Sequence, residues 1–176
     1  AYARAALDVA EPRVGLVSVG EEPTKGNAQV LEAAELLRAA PLRFIGNVEG
    51  KDIMMSHADV VVADGFVGNV ILKTAEGSGR YIADVLRESF ERAGPVGKLG
   101  GLLSRGVFTA MRQRVDYSTY GGAPLLGVRG NCVVAHGRSD ARAIRNAIRQ
   151  AATVASHDLV GSIEAALRPS QDSVSS

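Results

Sequence analysis

Apolar residues along the chain first gather in a short continuous run. Val14-Gly-Leu-Val-Ser-Val-Gly20 is β-branched and closed by glycine, which predicts a buried strand. Across Gly26–Ala40, Val30, Leu31, Ala34, Leu36 and Leu37 recur near helical spacing and stop before Pro41, predicting a helix. Leu42-Arg-Phe-Ile45 and Asp59-Val-Val-Val-Ala63 predict two more strands. Continuous apolar strands separated by a helix are the pattern of an α/β protein with a parallel sheet covered on both faces. The opening Ala-Tyr-Ala-Arg-Ala-Ala-Leu-Asp-Val reads as helix and has no initiator Met, so residues are expected upstream.

Beyond Gly68 the pattern becomes helical to about Arg92. Ile82, Leu86 and Phe90 share one stripe beside Tyr81 and Val85, and Gly77 and Gly79 are expected to break or bend the helix. Residues 93–103 carry so many glycines that an apolar loop is expected. Helical spacing resumes over Arg105–Val115 through Val107, Phe108, Met111 and Val115. After the turn-rich Asp116–Gly122, Pro124–Val128 and Cys132–Ala135 predict a hairpin around Arg129-Gly130-Asn131. Ser139 is expected to N-cap a long helix beginning Asp-Ala-Arg-Ala-Ile-Arg-Asn-Ala-Ile, and residues 168–176 to form a flexible tail.

Composition sharpens this picture. Of 176 residues 46% are hydrophobic and 22% charged, a globular balance. Lys+Arg 20 against Asp+Glu 19 leaves +1, so no global field attracts polyanions and any anion site must be local. The single cysteine, Cys132, excludes internal disulfides and fits a reducing compartment. No apolar run approaches membrane-spanning length, and no signal-peptide pattern is present.

In an open parallel sheet, ligands bind beyond the carboxyl ends of the strands. Three strands here end in polar, glycine-rich segments: Gly20–Asn27, Gly46–Gly50 and Asp64–Asn69. These are either a ligand site or ordinary strand–helix turns. Lys25 is the best candidate for a fixed phosphate-binding charge, the alternative being a solvated surface lysine. Asn69 can donate to an oxyanion or cap a helix. Asp64 can bind a ligand hydroxyl or form an Asp-Gly turn. Adjacent side chains diverge, so Glu21 and Glu22 point to ion pairing or capping rather than catalysis. His136 can bind phosphate, protonate a leaving group or simply satisfy backbone. His57 precedes a strand, the wrong end for such a site, and reads as structural. The histidines are too dispersed to hold a metal, and no cofactor is implied.

Residues 93–115 hold Lys98, Arg105, Arg112 and Arg114 with no acid, next to Val96, Leu99, Leu102 and Leu103. Apolar residues with basic flanks suit a dimer contact, an anionic membrane surface or an acidic partner. Aromatics do not alternate with the basic residues, which disfavours nucleic acid.

Several segments together resemble the phosphate acyltransferases of bacterial phospholipid synthesis, the PlsX family. They are Gly20-Glu-Glu-Pro-Thr-Lys-Gly-Asn27, Asn47-Val-Glu-Gly-Lys-Asp-Ile53 and Asp64-Gly-Phe-Val-Gly-Asn-Val-Ile-Leu-Lys-Thr-Ala-Glu-Gly77. Asp116-Tyr-Ser-Thr-Tyr-Gly-Gly-Ala-Pro-Leu-Leu-Gly127, His136-Gly-Arg-Ser139 and Ala143-Ile-Arg-Asn-Ala-Ile-Arg-Gln-Ala151 follow in family order. The resemblance implies a three-layer α/β/α fold like that of isopropylmalate dehydrogenase, with a mostly parallel sheet and a protruding helical hairpin. Residues 1–167 would be the C-terminal part of the domain, with residues 79–115 as that hairpin. It further implies acyl transfer from acyl carrier protein to inorganic phosphate, a homodimer, and cytoplasmic location with peripheral membrane contact. Lys25, Asn69 and His136 would be catalytic, and Asn27, Asp64, Gly65, Gly68 and Ser139 substrate-binding. Lys98, Leu99, Leu102, Leu103, Arg105, Arg112 and Arg114 would meet partner or membrane. The family's N-terminal half, with its Asp-x-Met-Gly-Gly-Asp motif, is not in this sequence, so part of the site is expected to lie there. Ser56-His57 also replaces a stretch where the family often has Gly. A phosphotransacetylase-like enzyme using acyl-coenzyme A and a non-catalytic docking module are the competing readings. A dehydrogenase is weaker, because no Gly-x-Gly-x-x-Gly with an acidic partner occurs.

Overall fold

A computed structural model describes residues 1–115, 121–137 and 139–168, with backbone alone over 111–115. The chain divides into two compact units, Ala1–Val62 with Tyr117–Ser176, and Ala63–Asp116.

In the first unit the β-branched run forms β1 (Arg13–Val17). It pairs in parallel with β2 (Arg43–Val48) on one side and β3 (Val60–Val62) on the other, giving the order β2-β1-β3. The central strand is the most buried, as its unbroken apolar run requires, with Leu16 only 3% exposed. A Cβ on Gly15 would come within 2.6 Å of the Val48 side chain, so glycine there lets β1 and β2 pack closely. Helix α2 (Ala28–Ala39) links β1 to β2 and buries Ala34. Helix α1 (Tyr2–Leu7) packs on α6 (Ala141–Ser156), where Tyr2 Oη accepts from Gln150 Nε2 at 2.5 Å. With helices and a parallel three-stranded sheet, the expected α/β class is observed, consistent with a three-layer α/β/α arrangement.

Arg13 ties the first residue of β1 to the residue before β3. Its backbone N–H and Nε donate to Asp59 Oδ2 at 2.8 and 3.0 Å, and Nη2 donates to Asp59 Oδ1 at 3.0 Å and to the Ser56 carbonyl at 2.9 Å. These hydrogen bonds to Arg13 lower the Asp59 pKa from 3.8 to about 2. A carboxylate depressed on folding adds stability above its unfolded value and loses it as pH falls through the folded one. Urea titrations of wild type and Asp59→Asn should therefore differ at neutral pH and converge as pH falls from 3.8 towards 2. A gap that persists below pH 2 would contradict this.

Two expectations for this unit are corrected. Ser139 does not cap the long helix: Asp140 does, with its side chain accepting from Ala143 N–H at 2.8 Å. The extended backbone that defines a cap falls at Asp140, and Asp serves as well as Ser there. The long helix itself is observed as α6, and Asp158, at φ 46°, starts and caps a further helix, α7 (Leu159–Leu167). The predicted hairpin shrinks to β4 (Ala123–Pro124) against β5 (Val133–Val134), plus a bond from Leu125 N–H to the Cys132 carbonyl at 2.8 Å. Pro124 offers no N–H, and beyond Leu125 the chain leaves the ladder, where Leu126 and Val128 line an apolar recess with Val154, Leu159 and Ile163. The predicted tail beyond Arg168 and the turn at 116–120 lie outside the described residues.

The second unit begins with α3 (Gly65–Arg92), capped by Asp64. It runs unbroken through Gly77 and Gly79, contrary to expectation. No atom lies within 4 Å of a Cβ built at either glycine, so nothing forces a kink. The cap and the Lys73–Glu76, Arg80–Glu76 and Arg92–Glu88 pairs offset their poor propensity, about 1 kcal/mol each. Residues 94–103, expected as a loop, form α4 (Gly94–Leu103). Pro95 sits in its first turn, where a missing N–H costs nothing. Gly97 is buried against the Phe90 carbonyl, closer than any Cβ would allow, and Gly101 packs on the Phe90 ring. The glycines are a packing face, and tertiary contact overrides their propensity. Helix α5 (Arg105–Val115) follows as expected, with Phe108 edge-on to Phe90 at 5.6 Å. Val96 (82% exposed), Leu99, Leu102 and Leu103 face outward. No helix among the described residues is long and apolar enough to cross a membrane.

Candidate active site

The most closely tied candidate segment follows β1. Ser18 N–H donates to the Val48 carbonyl at 3.0 Å and continues the ladder one residue past β1. The chain then curls back on itself. Lys25 N–H donates to the Glu22 carbonyl at 3.0 Å, and Ser18 Oγ donates to the Lys25 carbonyl at 3.1 Å. From β2, Asn47 Nδ2 donates to the Glu22 carbonyl at 2.9 Å and reaches the Lys25 carbonyl at 3.4 Å. The backbone of Lys25 is thus held from two strands while its side chain is exposed. Among the described residues Lys25 makes no salt bridge. A fixed backbone carrying an uncommitted ammonium is suited to an anionic ligand.

Two nearby acids, Glu21 and Glu49, are engaged by Lys51. Lys51 sits 2.7 Å from Glu49 and 3.5 Å from Glu21, and its pKa is raised chiefly by the Glu49 hydrogen bond. Glu21 is therefore an ion-pair partner, in line with expectation. Asn27 caps α2, its Oδ1 accepting from Val30 N–H at 2.9 Å, so this oxygen is occupied by the helix start.

At the start of α3, Asp64 Oδ1 accepts from Phe66 and Val67 N–H, both at 2.9 Å, and its carbonyl accepts from Gly68 N–H at 2.8 Å. Asp64 is a cap, and the Gly68 N–H is engaged within the helix. Gly65 and Gly68 leave the helix start bare, with only Ala63 Cβ at 3.9 Å from a Cβ built on Gly68. Asn69 lies in the second turn, exposed, and the capping alternative considered for it belongs to Asp64.

His136 and Ser139 occupy another segment, between β5 and α6, where Ser139 N–H donates to the His136 carbonyl at 2.9 Å. Ser139 Oγ is buried without a hydrogen-bond partner among the described residues. Arg138 lies outside them. His57 Nδ1 is 3.3 Å from the carboxylate of Asp52, a residue 6% exposed that also accepts from Glu49 N–H, a structural arrangement as expected. Among the described residues no group of three or more His, Cys, Asp and Glu side chains could hold a metal. In the basic segment, Lys98 and Arg105 are exposed, and the side chains of Arg112 and Arg114 lie outside the described residues.

The first unit thus joins Lys25 and Asn27 on one loop, and the second groups Asp64, Gly65, Gly68 and Asn69 at one helix start. Ser18 was not singled out from sequence. Its signal was a hydroxyl at the carboxyl end of an apolar run.

A family model described as fatty acid synthesis protein matches residues 1–161. The phosphate acyltransferase of Acidobacterium capsulatum is 50% identical over 172 residues, 98% of this chain and 51% of that protein. That of Heliobacterium modesticaldum is 46% identical over 163 residues, covering 93% of this chain and 48% of its own length. That of Desulforudis audaxviator is 48% identical over 162 residues, 92% and 48% respectively. The chain spans about half the length of the curated relatives it matches.

Proposed function

Because the chain belongs to the fatty acid synthesis protein family, we propose that in its full-length protein it serves a phosphate acyltransferase that moves a fatty acyl group from acyl carrier protein to inorganic phosphate. The observation that carries this reading is the Lys25 loop, pinned beyond the carboxyl end of β1 with its ammonium uncommitted.

Phosphate must attack the carbonyl carbon of a thioester. A C–O bond forms, charge collects on the carbonyl oxygen, and the C–S bond then breaks, leaving a thiolate that takes a proton. Lys25 lowers the cost of bringing phosphate to the carbonyl and offsets the charge that develops. Asn69 donates its amide N–H to the oxyanion, and the bare helix start at Gly65 and Gly68 admits substrate closely. His136 assists phosphate binding or protonates the thiolate, with Ser139 beside it. Asn27 and Asp64 serve substrate binding by holding the two helix starts.

The test is to supply phosphate with either acyl–acyl carrier protein or acyl-coenzyme A and trap acyl phosphate as the hydroxamate. Acyl phosphate from the carrier-protein thioester is expected. Formation from acyl-coenzyme A alone would favour the phosphotransacetylase-like reading, and none from either would overturn both.

The α4–α5 segment, basic and apolar with no acid, serves a homodimer contact and peripheral docking on an anionic membrane at the cytoplasmic face. Reversing charge with Arg105→Glu and Arg112→Glu should cut co-sedimentation with anionic vesicles about tenfold or more at low salt. Unchanged sedimentation, with acyl carrier protein binding also unchanged, would remove this role.

A further inference from the structure

The geometry points to Asn47 as a positioning residue for Lys25, set in place by a bulge in β2; the inference rests on the phosphate-site reading of Lys25. Val14 faces Phe44 across the parallel pair, but the next residue, Gly15, faces Gly46, so Ile45 is an extra residue in β2. Gly46 takes φ 95°, in the left-handed region that favours glycine. A one-residue insertion reverses which side of the sheet every later side chain takes. Asn47 is thereby registered with Leu16. Were Ile45 paired with Gly15 instead of bulged, Asn47 would register with Val17, on the opposite side.

Leu16 and Ser18 alternate along one strand direction and so share a side. The bulge brings Asn47 to that side, and both polar groups converge on one atom. Ser18 Oγ reaches the Lys25 carbonyl at 3.1 Å and Asn47 Nδ2 at 3.4 Å, with Asn47 also holding the Glu22 carbonyl at 2.9 Å. A carbonyl has two acceptor sites, and here each strand supplies one donor. Gly46 and Asn47 are both poor strand formers, placed between Ile45 and Val48 within β2. Such a local conflict, with no packing gain of its own, is typical where a fold serves a site. Asn47 acts through the backbone: it fixes where the Lys25 side chain departs from the loop.

The test is a double-mutant cycle in the full-length protein, reading kcat, KM for phosphate and the thermal midpoint. Asn47→Ala should lower kcat/KM for phosphate about 10- to 100-fold, the range for misplacing a catalytic group by about 1 Å, while the midpoint moves little. In the Lys25→Ala background the same change should cost less than about threefold, because the group being positioned is gone. Losses that multiply would overturn the inference while leaving the Lys25 reading intact. Near-normal turnover of Lys25→Ala alone would instead overturn that reading, and the inference with it. Asn47→Asp keeps the shape and removes the donor, so it must reproduce the loss if the alanine variant fails to fold. Full activity of Asn47→Asp would sink the inference.

Discussion

Lys25→Ala in the full-length protein should lower acyl phosphate formation by roughly 100- to 10,000-fold, the scale of losing a preorganised electrostatic contact in an acyl-transfer site. Its unfolding midpoint should stay within a degree or two. The two halves of this expectation have separate causes. For stability, the Lys25 side chain is exposed and makes no salt bridge among the described residues, and the contacts that hold its loop use its backbone. Alanine keeps every one of those contacts, and such surface changes fall within about 0.5 kcal/mol. For activity, phosphate and the tetrahedral oxyanion are both negative, and Lys51, held by Glu49 and Glu21, does not replace the ammonium. Asn69→Ala should behave alike, losing about 100- to 1,000-fold in turnover as one oxyanion donor is removed. Alanine is also the better helix former at this exposed site, so α3 is not weakened. Near-normal turnover of either variant, measured by hydroxamate trapping, would defeat that residue's assignment.

Gly121→Ala should destabilise the first unit by about 2–4 kcal/mol, combining overpacking with left-handed strain. That is a large part of the 5–15 kcal/mol typical of a domain. Gly121 is buried at φ 79°, and a Cβ there would overlap the backbone nitrogen of Ala147 and the carbonyl oxygen of Ala143. Both atoms belong to α6, whose Ala143 and Ala147 are in the core. They cannot retreat without parting the helix from its packing. Gly130→Ala is the control, because nothing lies within 4 Å of a Cβ at that position. Urea unfolding should shift strongly for the first and by under about 0.5 kcal/mol for the second. Equal midpoints would show that Gly121 is not held as the structure describes.

Much of this was legible along the chain. Continuous β-branched runs at 14–20 and 59–63 read as strands, and their spacing around one helix leaves a parallel sheet as the economical arrangement, although only β1 is buried while Val60–Val62 are half-buried and Val19 is exposed. The polar segments after each strand follow, and with them Lys25 and the start of α3. What escaped were choices between near-equal local options. Ser139 and Asp140 are both good caps, and backbone direction out of β5 selected the second. Asp64 and Asn69 both offered a side chain to the start of α3, and only Asp64 stands one residue before it.

By itself, then, the sequence determined the three strands of the parallel sheet and the helix that links the first two, because hydrophobic period and turn residues are local properties. Tertiary structure alone decided that the glycines at 97 and 101 form a helix face against Phe90 rather than a loop. It also decided that Ile45 bulges and turns Asn47 towards Ser18 and Lys25. Both outcomes depend on a partner distant in sequence, whose closeness can outweigh the roughly 1 kcal/mol preferences read along the chain.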